Sequence, residues 1–180
     1  DELKEDGFLA VLVALVMILV YVAARFEWRF SVGAVASLLH DVIITMGLFS
    51  ITGMEFDLTV LAGVLALIGY SINDTIVVYD RIRETFRKMR DMTTDEAVDE
   101  AITSTLSRTT MTSFTTALTL IVLFAIGGAM IHGFATALLF GIGIGTYSSI
   151  FVASGLAVIL GASREDLMPT VVEKEGAELP

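Results

Sequence analysis

An all-α, polytopic membrane helix bundle is the predicted fold class, and three observations carry the prediction. The chain is 55% hydrophobic and only 18% charged, with a mean hydropathy of +0.80, beyond the range of a soluble domain. Five apolar runs, each near the ~20 residues that cross ~30 Å of hydrocarbon, alternate with polar connections. Both prolines, Pro169 and Pro180, lie in the C-terminal tail, so no apolar run carries a proline kink.

Composition also excludes. A formal net charge of −10 leaves no basic patch to drive counterion release, so nucleic acid is not a partner. With no Cys there are no disulfides and no thiolate metal sites. No metal-ligand spacing, nucleophile–base pair or nucleotide loop is present. The expectation is a non-enzyme without cofactor or metal.

Residues 1–6 form a short acidic, extracytoplasmic approach segment, and the transmembrane bundle occupies 7–161. The first span is 7–24; its acidic flank argues against a signal peptide, which opens on basic residues. Arg25 to Arg29 is a tight connection whose Trp28 and Arg29 suit the headgroup interface. The second span, 32–52, carries His40 and Asp41. Ser37, Asp41, Thr45, Leu48 and Thr52 fall along one side, a polar stripe that should face helices or water rather than lipid. Gly53 to Asp57 is a loop without Lys or Arg.

The third span, 58–79, aligns Gly63, Leu67, Ser71, Asp74 and Val78 on one face, with Gly63 allowing close backbone approach. Asn73 and Asp74 stand out with apolar sequence on both sides. An ionised side chain at bilayer depth costs at least ~2.5–3.5 kcal/mol, so such a residue is paired, wetted or used. Residues 80–102 are a short cytoplasmic amphipathic helical connection. Ile82, Phe86 and Met89 share one side, the spacing of a helix lying on the headgroups. Thr93-x-x-Glu96 is a capping box that opens a further helix, with Val98, Ile102 and Leu106 as its apolar side.

The fourth span, 103–126, bears a second polar stripe of Arg108, Thr112, Thr115 or Thr116, and Thr119. Two plainer readings stand beside a functional one: threonine bonds the carbonyl one turn back, and an arginine near a helix end snorkels. Residues 127–133 are a short uncharged turn with His132 at the interface. The fifth span, 134–160, contains Gly141-x-Gly143-x-Gly145; no strand precedes these glycines, so Gly141 and Gly145 are assigned to helix packing. Residues 162–180 are a polar cytoplasmic tail.

Connections sort by basic content. Arg25 and Arg29 follow the first span, Arg81, Arg83, Arg87, Lys88 and Arg90 the third, and Arg164 and Lys174 the fifth; the other two have none. The positive-inside rule then places the N-terminus outside and the C-terminus in the cytoplasm. At 1.5 Å per residue, His40 and Asp41 lie roughly 12–14 Å in from that side, Asp74 about 9 Å and Arg108 about 8 Å. Three helices thus place ionisable groups in one third of the bilayer. Such a cluster suits proton transfer: Asp74 loads and releases a proton, and the permanently charged Arg108 sets how readily it does so by its distance. Asn73, Asp41 and His40 would be supporting relay groups, His being a natural shuttle near neutral pH.

Several motifs resemble one family. The stretch Gly69 to Glu84, Gly-Tyr-Ser-Ile-Asn-Asp-Thr-Ile-Val-Val-Tyr-Asp-Arg-Ile-Arg-Glu, resembles the fourth transmembrane helix of the SecF subunits of the SecD–SecF protein-export complex. His40-Asp41-Val42-Ile43-Ile44-Thr45 is similar to that family's third helix and Ser107-Arg108-Thr109 to its fifth. Leu167-Met168-Pro169, followed by Val172-Glu173-Lys174-Glu175-Gly176-Ala177, resembles the tail of proteobacterial members. The family has a further helix and a folded extracytoplasmic domain upstream, so the chain is expected to be its C-terminal membrane portion.

The resemblance implies an auxiliary subunit in the bacterial inner membrane, of the resistance–nodulation–division superfamily, that couples the proton gradient to protein export. Asp74 and Arg108 match the family's ion-conducting carboxylate and its partner. The implied partners are SecD, the SecYEG translocon with SecA, YajC and YidC, together with translocating polypeptides and membrane lipids. Sodium is the alternative coupling ion, because a carboxylate serves either. Two other readings remain open: half of a proton-driven lipid or small-molecule exporter of the same superfamily, and a non-conducting scaffold whose intramembrane charges are structural.

Overall fold

The computed structural model describes residues 2–26, 28–88 and 92–161, and these are helical apart from short connections. The elements are α1 (Glu2–Arg25), α2 (Trp28–Thr52), α3 (Leu58–Lys88), α4 (Thr94–Ile126) and α5 (Ala129–Ser148). A π-helical turn, Ser149–Ala153, carries α5 into α6 (Ser154–Ile159). The last three form one continuous rod, so five helices are long and apolar enough to cross a membrane. The calls on Met89, Arg90 and the tail, including Arg164 and Lys174, lie outside the described residues.

α3 is the hub. Half of its most apolar stretch is buried, against 11% for α4, which therefore lies at the margin. Its main partner is α5, and the two run parallel with small residues in step. A Cβ on Gly63 would lie 3.0 Å from the Phe134 carbonyl and 3.1 Å from Ala137 Cβ; Gly141 faces Leu67, and Gly145 faces Ser71. Each position is four residues from the next on its own helix, which gives the close-packed seam that glycine allows in a membrane.

Three local expectations change. The charged stretch after Asp80 does not lie flat on the headgroups; it continues α3 to Lys88. With 31 residues the helix is about 46 Å long, well beyond ~30 Å of hydrocarbon. No Gly or Pro occurs between Asp80 and Lys88, and Ile82 and Phe86 are buried in one cluster with Ala97, Val98 and Ala101 of α4. α4 starts where its capping box predicts: Thr93 Oγ1 accepts from the Glu96 amide at 3.3 Å, and Glu96 Oε2 from the Thr93 amide at 2.9 Å. Of its expected apolar side, Val98 is buried and Ile102 packs against the core, but the buried edge also takes in Ala97, Ala101, Thr105 and Thr109, while Leu106 points outward at 46% exposure. Small residues every fourth position let the backbones approach, which outweighs the larger side chain. Finally, the turn after α4 needs only Gly127 and Gly128. Gly128 takes a left-handed φ of 74°, open to glycine without steric cost, and the helix restarts at Ala129. His132 therefore sits within α5, its ring 4.0 Å from that of Phe124.

The basic connections gather at one end of the bundle. Arg25 bridges to Asp80 at 2.8 Å, Arg29 donates to the Gly161 carbonyl at 2.9 Å, and Arg81 Nε donates to Ser104 at 2.8 Å. Glu84 joins Arg81 and Lys88, each at 2.6 Å. At the opposite end Asp57 caps α3, accepting from the Val60 amide at 2.9 Å and the Thr59 hydroxyl at 2.7 Å. Those two donors hold its carboxyl below the ordinary value.

Candidate functional site

Helices α2, α3 and α5 enclose a seam of polar side chains, and the sequence dictates which residues reach it. Ser37, Asp41 and Thr45 recur every fourth position of α2, so they form one edge, and all three are fully buried. Ser71, Asp74 and Thr75 do the same from α3, and Ser148 from α5.

Asp41 sits at the middle of the seam. Its Oδ2 accepts from Ser71 Oγ at 2.6 Å, and its Oδ1 lies 3.1 Å from His40 Nδ1. A Cβ on Gly145 would come within 3.5 Å of that Oδ2, so the glycine leaves room for the pair. One turn toward the basic end, Ser37 donates to Ser148 at 3.1 Å. Asp41 is thus both buried and satisfied, the condition under which a carboxylate is tolerated away from water.

Asp74 is different. It is only 4% exposed, one turn along α3 from Ser71, and its Oδ2 is buried with no hydrogen-bond partner among the described residues. The hydroxyls of Thr45 and Thr109 are orphaned in the same way. A buried carboxylate oxygen without a partner marks a place for water or a proton.

Arg108 lies outside the seam. It is exposed, and lines a polar cleft of about 460 Å³ between α3 and α4 with Asp80, Arg81, Glu84, Ser104 and Thr105. Among the described residues it makes no ion pair with Asp74. The cleft lies at the basic end of the bundle, and Val77, three residues beyond Asp74 on α3, is part of its lining. Chemically, a buried carboxylate with an unpartnered oxygen can take up a proton.

The structure buries Asp41 of α2 and Asp74 of α3, keeps His40 beside Asp41, and puts Arg108 in the separate cleft between α3 and α4. It does not bury Asn73 with them. Consecutive residues on an α-helix point about 100° apart, and Asn73 is exposed on the outer side of α3 while Asp74 faces inward. Thr75 and Ser148 of the seam, and the buried Thr109 of α4, were given no site role by sequence reasoning. Thr75 and Thr109 carry a signal, each standing four residues beyond Ser71 or Thr105. Ser148 has none, because Ser149 beside it reads the same.

Residues 1–163 match the family described as "Protein export membrane protein SecD/SecF, C-terminal". The chain is 62% identical over 178 residues to the protein translocase subunit SecF of Vibrio alginolyticus, covering 99% of this chain and 56% of that protein. It is 53% identical over 180 residues to the subunit of the same name from Haemophilus influenzae, covering 100% of this chain and 55% of that one. The chain therefore spans about half the length of the curated relatives it matches. Among solved structures, that of SecDF from Thermus thermophilus, described as a translocon-associated membrane protein, superposes with a TM-score of 0.84 at 47% identity. That match covers 88% of this chain and 22% of the other. A second structure of SecDF, in a super-membrane-facing form, gives 0.82 at 47% identity over 89% and 22%.

Proposed function

Because the chain belongs to the SecD/SecF protein-export membrane protein family, we propose that it is the ion-coupling membrane portion of a SecF-type auxiliary export subunit. In this reading the proton gradient drives a change in its helix packing, and the parent protein uses that change to help move polypeptides across the bacterial inner membrane. The role is transport, not enzyme catalysis. The observation that carries it is Asp74, whose buried carboxylate oxygen has no hydrogen-bond partner among the described residues.

Asp74 takes the role of the carboxylate that loads and releases the proton, and Arg108 that of the charge whose distance governs the exchange. Sodium would use the same carboxylate. Asp41 and His40 take a supporting role, since Asp41 already has Ser71 and His40 as partners. The gathering of basic residues at one end supports a cytoplasmic position for residues 80–102 and the tail, with the N-terminal segment outside.

SecD is the partner this reading requires. Arg108, Thr112, Thr115 and Thr119 lie on the outward side of α4, exposed in the single chain. A polar stripe at bilayer depth needs other helices or water against it, and a SecD bundle would supply them, as the joined name of the Thermus relative suggests. SecYEG with SecA, YajC and YidC would stand further out in the assembly.

The test is Asp74→Asn in the full-length SecF–SecD complex, which keeps size and hydrogen bonding but removes the titratable charge. Gradient-stimulated export into reconstituted vesicles should fall to the unstimulated level, with assembly intact and ATP-driven export continuing. Arg108→Lys keeps the charge but loses the planar fork, and should retain part of the stimulation. Full stimulation in a well-assembled Asp74→Asn complex would sink the proposal and leave a structural role for the carboxylate.

A further inference from the structure

Tyr79 is fully buried, its ring meeting those of Phe26 and Phe30 edge-on at 5.7 and 4.9 Å. Its hydroxyl donates to the carbonyl of Ala153 at 3.1 Å. Ala153 is the last residue of the π-helical turn Ser149–Ala153, the one irregularity in the fifth span. Gly33 of α2 makes room for this bond. A Cβ there would lie 2.8 Å from the Tyr79 hydroxyl and 2.9 Å from the Ala153 carbonyl.

The π turn decides which serine enters the seam. Along α2, Gly33, Ser37 and Asp41 follow one another at steps of four residues. They meet Ala153, Ser148 and Gly145, which are separated by five residues and then three. An uninterrupted α-helix through Gly145 and Ala153 would offer Ser149 to Ser37, since it stands four residues from each. The π turn offers Ser148 instead. Such single-turn insertions recur at functional sites, and here both ends are pinned: one by the Tyr79 hydroxyl, the other by the Ser37–Ser148 bond.

We propose that Tyr79 is a positioning residue whose hydroxyl, by holding the Ala153 carbonyl, keeps the π turn in place and so selects Ser148 over Ser149 as the partner of Ser37. The selected serine lies one turn from the Asp41–Ser71 pair, so the hydroxyl sets the floor of the seam from a distance. Its bearing on ion coupling rests on the function proposed above; the choice of serine does not. Without the hydroxyl the turn relaxes toward a regular α-helix, and Ser149 replaces Ser148.

Cross-linking reads this directly. Pairs of substitutions, Ser37→Cys with Ser148→Cys and Ser37→Cys with Ser149→Cys, are made in the full-length complex in an otherwise cysteine-free background. Each is oxidised in membranes with a permeant oxidant, with Tyr79 intact and with Tyr79→Phe, which keeps the ring packing. With Tyr79 intact, the 37–148 pair should form its disulfide at least tenfold faster than the 37–149 pair. In Tyr79→Phe that ratio should fall at least threefold. Gly33→Ala, whose Cβ intrudes on the same hydrogen bond from the other side, should lower the ratio similarly and serves if Tyr79→Phe does not assemble. An unchanged ratio in an assembled variant overturns the proposal. The readout needs no ion flow, so a shifted ratio stands even where Asp74→Asn exports normally, an outcome that would remove the coupling role alone.

Discussion

Replacing Gly141 by alanine would place a Cβ 2.5 and 2.8 Å from the two methyls of Leu67. Carbon atoms rest at about 3.5–4.0 Å, so one side or the other must move by roughly 1 Å. Leu67 is fully buried at the α3–α5 contact and has little room to swing. Overpacking of this kind costs about 1–3 kcal/mol. Leu67→Ala alone removes the obstacle but opens a cavity, at about 2–5 kcal/mol. In the double variant the new methyl enters the space that the leucine left, so the two losses should not add. The expected total is smaller than their sum by at least ~1 kcal/mol, beyond the ~0.3–0.5 kcal/mol within which independent sites add. Reversible unfolding of the four proteins in mixed detergent micelles measures the cycle. Strict additivity would show that Gly141 and Leu67 do not meet, and that the parallel α3–α5 register is wrong.

Other expectations are local. Asp41→Ala leaves the Ser71 hydroxyl without its acceptor inside the seam and should destabilise by about 1–3 kcal/mol in the same unfolding assay, whereas Asp41→Asn keeps an acceptor oxygen and should be milder. Asp57 is held below the ordinary carboxyl value by the cap it forms, so its contribution is complete above about pH 4 and is lost as the pH falls through the folded value. Asp57→Ala should therefore lower the unfolding midpoint at pH 7, with a difference that narrows in acid; a difference independent of pH would contradict the cap. A cysteine introduced at Lys88 should resist an impermeant thiol reagent outside intact cells, while one introduced at Asp57 reacts, and the reverse would invert the orientation.

Much of this architecture can be read without coordinates because a bilayer simplifies the choice. Uninterrupted apolar runs have to be helices, and the i, i+4 recurrence of Ser37, Asp41 and Thr45, or of Gly63, Leu67 and Ser71, identifies their inner faces. The capping box at Thr93 is equally local and stands where it was read. The features that escape depend on neighbours. Asn73 and Asp74 look like a unit in the sequence, yet helical geometry turns one outward. The threonine stripe of α4 reads the same whether its own bundle or a partner covers it, and in the single chain it faces out. Nothing in Ser148-Ser149 distinguishes the serine that meets Ser37, because a π turn held from another helix makes that selection. The extension of α3 past Asp80 was hidden by charge, although Ile82 and Phe86 were the residues that keep it packed against α4.

Proton uptake by sealed proteoliposomes holding the full-length SecF–SecD complex tests the central claim most directly, with an imposed membrane potential and a pH dye inside. Wild-type complex should acidify the lumen at a rate well above protein-free vesicles, and Asp74→Asn should reduce that rate to the background at equal incorporation. An Asp74→Asn complex that conducts protons at the wild-type rate would contradict the assignment of this carboxylate to the ion path.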